Sequence, residues 1–259
     1  MIIQDSKKAA GSSDTRRIDF SKLSVVDFSE RPAPSPLLQS ANALTLRPFS
    51  LLRSKVQQKL KDQGVAMLGI TSAMPNSGKS SLSISLAASL AKLADRPVVL
   101  LDLDMRRGSI AEYLGLEVGY GLSDYLSNDL VTSEHCGVRL SDANLIVYPT
   151  NPINSGSAEL LASHRFSALV ASFREHPDSP ICIFDLPPAF ANDDTMIALN
   201  DLDGYLLVVE NGKTSKRHVL DVLKMLAPAK CFGTILNRYD GMIGDSYSYG
   251  SAAYSKYYE

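Results

Sequence analysis

Short apolar runs, rich in β-branched residues, recur along the chain: VAMLGIT (65–71), PVVLLDL (97–103), LIVYP (145–149), PICIFD (180–185), GYLLVVE (204–210) and CFGTIL (231–236). Each is nearly continuous, the pattern of a strand buried on both faces. Stretches of helical character separate most of them, at 79–94, 109–115, 157–175, 193–200 and 214–226. Strands alternating with helices predict an α/β fold in three layers, a mostly parallel sheet with helices on both faces. Ligands of such sheets gather at the carboxyl ends of the strands, so the residues just past each run carry the candidate chemistry. Ahead of the first strand, RPFSLLRSKVQQKLKDQG (47–64) sets Phe49, Leu52, Val56 and Leu60 on one helical face. Pro48 suits its first turn and Gly64 its stop.

The two ends follow neither pattern. Residues 1–43 are polar and include RPAPSP (31–36). They bury too little to offset their ordering entropy and read as a flexible arm before a domain at 44–238. Residues 239–259 read as a flexible tail. It ends YSYGSAAYSKYYE, which holds Tyr247, Tyr249, Tyr254, Tyr257 and Tyr258 among spacers too small or too polar to bury them.

Composition narrows the classes. At 259 residues with 45% apolar content, the chain can build one sizeable core. A formal net charge of −2 gives no electrostatic basis for a nucleic-acid partner. No apolar run reaches the roughly 18–20 residues of a membrane span, and the N-terminus lacks the apolar core of a signal peptide. Cys136, Cys182 and Cys231 are far apart, without metal or redox spacing. The four histidines are scattered. The expectation is a soluble, reduced, cytoplasmic protein.

Directly after the first strand comes AMPNSGKSS (73–81), leading into an apolar helix. It matches the P-loop spacing G-x-x-x-x-G-K-[ST], with Ala73 in place of the first glycine. Backbone N–H groups of such a loop curl around phosphates ahead of a helix N-terminus that favours negative charge. Pro75, Asn76, Ser77, Gly78, Lys79, Ser80 and Ser81 are therefore candidate nucleotide-binding residues. Lys79 is placed to reach the β- and γ-phosphates and Ser80 to give a hydroxyl to Mg²⁺. The second strand ends in LLDLDMRRG (100–108), where Asp102 and Asp104 stand two apart, the spacing of one face of an extended chain. The fourth ends in ICIFDLPPAF (181–190), where Asp185 follows four apolar residues as a Walker B carboxylate does. Three acids at two strand ends can converge on one metal–phosphate site.

Together these motifs resemble the bacterial tyrosine kinases that accompany capsule and exopolysaccharide assembly, relatives of the MinD/ParA group of P-loop ATPases. The resemblance covers roughly residues 44–259 and extends through EYLGLE (112–117), GLSDYL (121–126), SAELLAS (157–163), FDLPPA (184–189) and DGYLLVVENGKTS (203–215). It implies ATP and Mg²⁺ as cofactors and phosphoryl transfer to the tyrosines of the tail, in a neighbouring subunit's site. By resemblance, Lys79 and Ser80 bind phosphates and metal, Asp104 and Asp185 hold the metal, and Asp102 orients or deprotonates the tyrosine. Arg106 stabilises charge or braces its loop, and Asn237 sits near the adenine ring.

The chain departs from the family pattern at named positions. The E-x-x-R-x-x-R that builds a ring-shaped homo-oligomer becomes Arg47, Ser50 and Arg53, so the acid and the first arginine are missing. Gly108 stands where a proline is common, Asn151 where a glycine is, and Leu186 where a small polar residue is. The resemblance further implies a membrane-embedded polysaccharide co-polymerase or adaptor acting in trans, holding the chain at the inner face of the membrane. Two other readings stay open: an ATP-dependent switch of MinD/ParA type, and a catalytically reduced scaffold. The switch group carries a lysine early in the loop, where this chain has Ala73 and Met74.

Overall fold

The structure, a computed structural model, describes residues 18–27, 43–141 and 143–239; within helix α1 the side chains of 43–48 are not described. The tail tyrosines and the side chain of Arg47 lie outside it. A 3-10 turn (Phe20–Lys22) leads into strand β1 (Ser24–Val26), and helix α1 is Ala43–Gln63. Next come β2 (Met67–Ser72), α2 (Lys79–Ala91), β3 (Val98–Asp102), α3 (Ser109–Leu114), α4 (Leu122–Ser127) and α5 (Ser133–Cys136). They are followed by β4 (Val138–Leu140), β5 (Leu145–Tyr148), α6 (Ser157–Leu161), α7 (His164–Arg174) and β6 (Ile181–Asp185). The last elements are α8 (Asp194–Ala198), β7 (Gly204–Glu210), α9 (Lys216–Met225) and β8 (Cys231–Asn237).

One sheet runs in the order β1-β4-β5-β3-β6-β2-β7-β8. All its pairs are parallel except β4 with β5. Successive residues of the central strands face opposite ways, so each strand feeds two cores. Val98, Leu100, Ile183 and Val208 point to the side packed by Val56, Leu60, Leu82 and Ile110 of α1–α3. Val99, Leu101, Phe184 and Leu207 point to the side packed by Leu122, Phe166, Phe173 and Val222 of α4–α9. Covering both faces is what makes these strands continuously apolar.

Residues 18–26 correct the reading of 1–43 as a wholly flexible arm. Ile18, Phe20 and Leu23 are buried, and β1 extends the sheet along β4. Phe20 stacks on His176, with ring centroids 4.1 Å apart, and Nε2 of that histidine lies 3.1 Å from the Ile18 carbonyl. Three spaced apolar side chains suffice because the sheet edge already supplies their pocket. The stretch 157–175 is two helices, since Ser163 leaves the helical conformation and its hydroxyl accepts the Phe166 N–H, capping α7. Helix α1 begins five residues before Pro48. Phe49, Leu52, Val56 and Leu60 share its inward face as expected, and Arg53 donates to Ser89 of α2 at 3.4 Å.

Candidate nucleotide site

Strand β2 delivers the chain to the phosphate loop, and α2 carries it away. Gly78, the residue before α2, has φ 84°, a left-handed conformation costly for any residue with a Cβ. A Cβ there would also collide with the carboxamide nitrogen of Asn237. That nitrogen donates to the Ser77 carbonyl at 2.9 Å, so the end of β8 is latched onto the loop. Ser77 is buried, its hydroxyl bonded to the Met74 carbonyl. Pro75, Asn76, Gly78, Lys79, Ser80 and Ser81 line a cleft of about 350 Å³ over the N-terminus of α2.

Lys79 sits among the acids. Its ammonium is 2.7 Å from Asp104 and 3.7 Å from Asp185, and its side chain is only 8% exposed. Burial alone would lower its pKa, but the Asp185 and Asp104 carboxylates outweigh that and hold it above the ordinary lysine value. Asp185 ends β6 fully buried. Its Oδ1 accepts the Ser83 hydroxyl at 3.0 Å, while Oδ2 has no hydrogen-bond partner among the described residues. Burial pushes the Asp185 carboxyl above the usual range, against the pull of Lys79 and of the Ser80 and Ser83 hydroxyls. Ser80 lies beside Ser109, hydroxyl to hydroxyl at 3.1 Å.

Asp102 and Asp104 part company. The strand ends at Asp102, so the two-residue period that would aim both carboxylates one way stops there. Asp104 turns to Lys79 and the cleft. Asp102 is fully buried, and its two oxygens accept the N–H groups of Asp104 (3.2 Å) and Ile110 (3.0 Å). Burial, then the Asp185 charge, pushes its carboxyl well above the usual range. It thus braces the 103–109 loop from behind, and in this arrangement it does not face the cleft as the resemblance implied. Arg106 and Arg107 line the cleft mouth, and Arg107 donates to Asn76 at 2.6 Å, joining this loop to the phosphate loop.

The remaining walls explain the departures from the family pattern. The Pro187 carbonyl accepts the hydroxyls of Thr71 (2.7 Å) and Thr195 (2.8 Å), which fixes the two-proline turn after Asp185. Leu186 is buried, and Gly69 makes room for it; a Cβ at 69 would stand 2.7 Å from its Cδ1. Gly108 has φ 58°, which a proline could not adopt. Asn151 donates to Asp124 at 2.6 Å, the carboxylate that also accepts the Gly121 N–H at the start of α4.

Two residues of this rim escaped the sequence reading. Arg238 lines the cleft and donates to Glu210 at 2.7 Å. The side chain of Glu210 is 6% exposed. Nothing in their spacing signals that the two meet, because the pairing exists only once β7 and β8 lie side by side.

No protein-family model matches the chain. It is 29% identical over 197 residues to the tyrosine-protein kinase YwqD of Bacillus subtilis, covering 75% of this chain and 81% of that protein. It is 30% identical over 213 residues to the putative tyrosine-protein kinase EpsB of Ralstonia nicotianae, covering 80% of this chain but 27% of that longer protein. Among solved structures, the kinase domain of the Escherichia coli tyrosine kinase Etk superposes with a TM-score of 0.68 at 28% identity, over 77% of each chain. MinD from the Aquifex aeolicus MinC:MinD complex gives 0.54 at 23% identity, over 65% of this chain and 66% of that one, a likeness of fold. Among the described residues no helix is long and apolar enough to cross a membrane. The phosphate loop, the strand-end acids and these relatives agree: the chain is similar in sequence and fold to bacterial tyrosine kinases, and its fold is that of the MinD-like P-loop proteins.

Proposed function

We propose that the protein is an ATP- and Mg²⁺-dependent tyrosine autokinase of a polysaccharide synthesis or export system, and that the tail tyrosines are its acceptors. The observation that carries this reading is Lys79, a buried cation held between Asp104 and Asp185 at the mouth of a phosphate loop. A triphosphate supplies the anionic partner for which Lys79 can leave those acids. Both carboxylates then need another cation. The buried Oδ2 of Asp185, which accepts no hydrogen bond among the described residues and meets Lys79 only at 3.7 Å, and the neighbouring Ser80 hydroxyl fit Mg²⁺, which takes one or two protein carboxylates alongside substrate phosphates rather than a full protein cage. When bound, Mg²⁺ neutralises charge on the β- and γ-phosphate oxygens.

The protein's own share is positioning. Loop N–H groups hold the phosphates and Lys79 follows the charge that develops on them. Arg106 and Arg107 at the mouth add positive charge, and Asp102 holds the loop that presents Asp104. In the transfer the γ-phosphorus–oxygen bond to ADP breaks as a bond to the tyrosine oxygen forms. The phenolic proton leaves to a carboxylate of the site. Tyr247, Tyr249, Tyr254, Tyr257 and Tyr258 are the acceptors in this reading, donated to a neighbouring subunit. A membrane-embedded polysaccharide co-polymerase acting in trans would bring the chain to the inner membrane face and activate it. Purified protein incubated with γ-labelled ATP and Mg²⁺ is expected to take up base-stable label, and deletion of 240–259 is expected to remove at least nine-tenths of it. Undiminished labelling of the deletion variant would refute the tail as acceptor.

A further inference from the structure

We propose that the outer edge of β8 is a self-pairing surface, along which two copies of the chain join antiparallel about a two-fold axis at Ile235. Nothing in this pairing depends on kinase activity. β8 ends the sheet, so among the described residues no strand pairs its outer side. The opposite end of the sheet is closed by β1, only three residues long, and so short an edge strand offers little to pair with. β8 runs for seven residues, Cys231–Asn237, without a charge or a proline to blunt it. Its one irregularity, a register shift opposite Tyr205 and Leu206, lies near its start and leaves the stretch from Thr234 to Asn237 regular.

One hydrogen bond tells which backbone groups face outward. The Asn237 carbonyl accepts the Asn211 N–H at 2.9 Å, so Asn237 turns its peptide groups towards β7. Along a strand this direction alternates, so Ile235 does the same while Thr234 and Leu236 turn theirs to the open side. An antiparallel partner needs opposed residues that exchange both of their N–H···O bonds. Setting Thr234 against the partner's Leu236 gives two such pairs, related by the axis, and places Ile235 against its own symmetry mate. The side chains of Thr234 and Leu236 are both exposed, Leu236 by 53%, and the pairing covers each with the other. Charge agrees with a second copy as the occupant. Residues 231–237 bring no like charges together, and Arg238 is already neutralised by Glu210 at 2.7 Å. The same register brings Lys230 towards position 240, an aspartate in the sequence, so unlike charges meet at both ends. A two-fold contact of this kind closes at two copies. Because the paired strands run oppositely, the nucleotide clefts at their carboxyl ends lie at opposite ends of the dimer and stay open.

The test is sedimentation equilibrium of the full chain, with and without ATP and Mg²⁺. A species of twice the 28.1 kDa chain mass is expected in both conditions. Thr234→Pro removes an outward N–H and none that β7 uses, and Leu236→Lys sets a charge on the edge. Each is expected to weaken the dimer at least about tenfold while the far-ultraviolet circular dichroism stays that of wild type. In a Cys231→Ser background, Ile235→Cys is expected to form a disulfide-linked dimer on mild oxidation. Residues opposed in a pair without hydrogen bonds stand about 4.5 Å apart between Cα atoms, within disulfide range. A monomeric wild type, a dimer that requires ATP, a dimer unaffected by Leu236→Lys, or an Ile235→Cys chain that stays uncrosslinked would overturn the proposal.

Discussion

Gly78 concentrates two constraints in one residue: a backbone at φ 84° and a side-chain position already taken by Asn237. Gly78→Ala is expected to cost about 1–3 kcal/mol from the backbone alone, read as a lower urea midpoint. Asn237→Ala in the same chain should return only the steric part and leave the backbone cost. Gly78, Lys79 and Ser80 were legible in the sequence because the chemistry of a phosphate loop fixes their spacing. The sorting of Asp102 from Asp104 was not, since the period that aims two residues one way ends with the strand. Glu210 and Arg238, 28 positions apart, meet only through strand pairing. Leu186 looked foreign to its position until Gly69, a residue of the neighbouring strand, explained the space.

At the scale of elements, six strands and most helices could be read from apolar runs: burial on both faces writes a continuous signal in β2, β3, β5, β6 and β7, while the half-exposed edge strand β8 is read from its apolar residues alone. The three-residue strands β1 and β4 write almost none, and their place comes from the edge they complete. Phe20 is the anchor of that edge, stacked on His176 and near Phe173. Phe20→Ala is expected to cost about 3 kcal/mol in urea unfolding and to leave ATP affinity within twofold. A large loss of ATP affinity would mean that this edge is coupled to the site. Asp203 ties the entry of β7 to that of β2: its carboxylate accepts the Ala66 and Met67 N–H groups at 2.8 Å and Arg174 at 2.7 Å. Burial would raise its pKa, but those donors outweigh it and hold the value below the usual range. A depressed folded pKa gives stability that is present above the unfolded value of 3.8 and lost as pH falls through the lower folded value. Asp203→Ala should therefore cost about 2 kcal/mol near neutrality, with the gap to wild type closing below pH 3.8. A gap that is constant across that range would contradict the assignment.

The whole molecule pairs a sheet whose central strands are buried on both faces with a tyrosine-rich sequence that lies outside the described residues. Composition gives the tail's tyrosines no core role and does not name their use; the acceptor role proposed above comes from the resemblance to the bacterial tyrosine kinases. The ring signature is a separate matter. Its acid is replaced by Arg47, and Arg53 turns to Ser89 of its own chain, so assembly through the usual ion pairs lacks a carboxylate at this position. A partner that brings chains together would take on greater weight in such a protein. The most direct test of the account is to incubate the purified protein with ATP and Mg²⁺ and to map phosphate by mass spectrometry. Wild type and Lys79→Met should be compared, each with and without the cytoplasmic segment of a membrane protein encoded beside it. Phosphotyrosine at residues 247–258 in wild type, reduced at least about a hundredfold in Lys79→Met, is the result the account predicts. ATP bound with no tyrosine modified in any arm would contradict it.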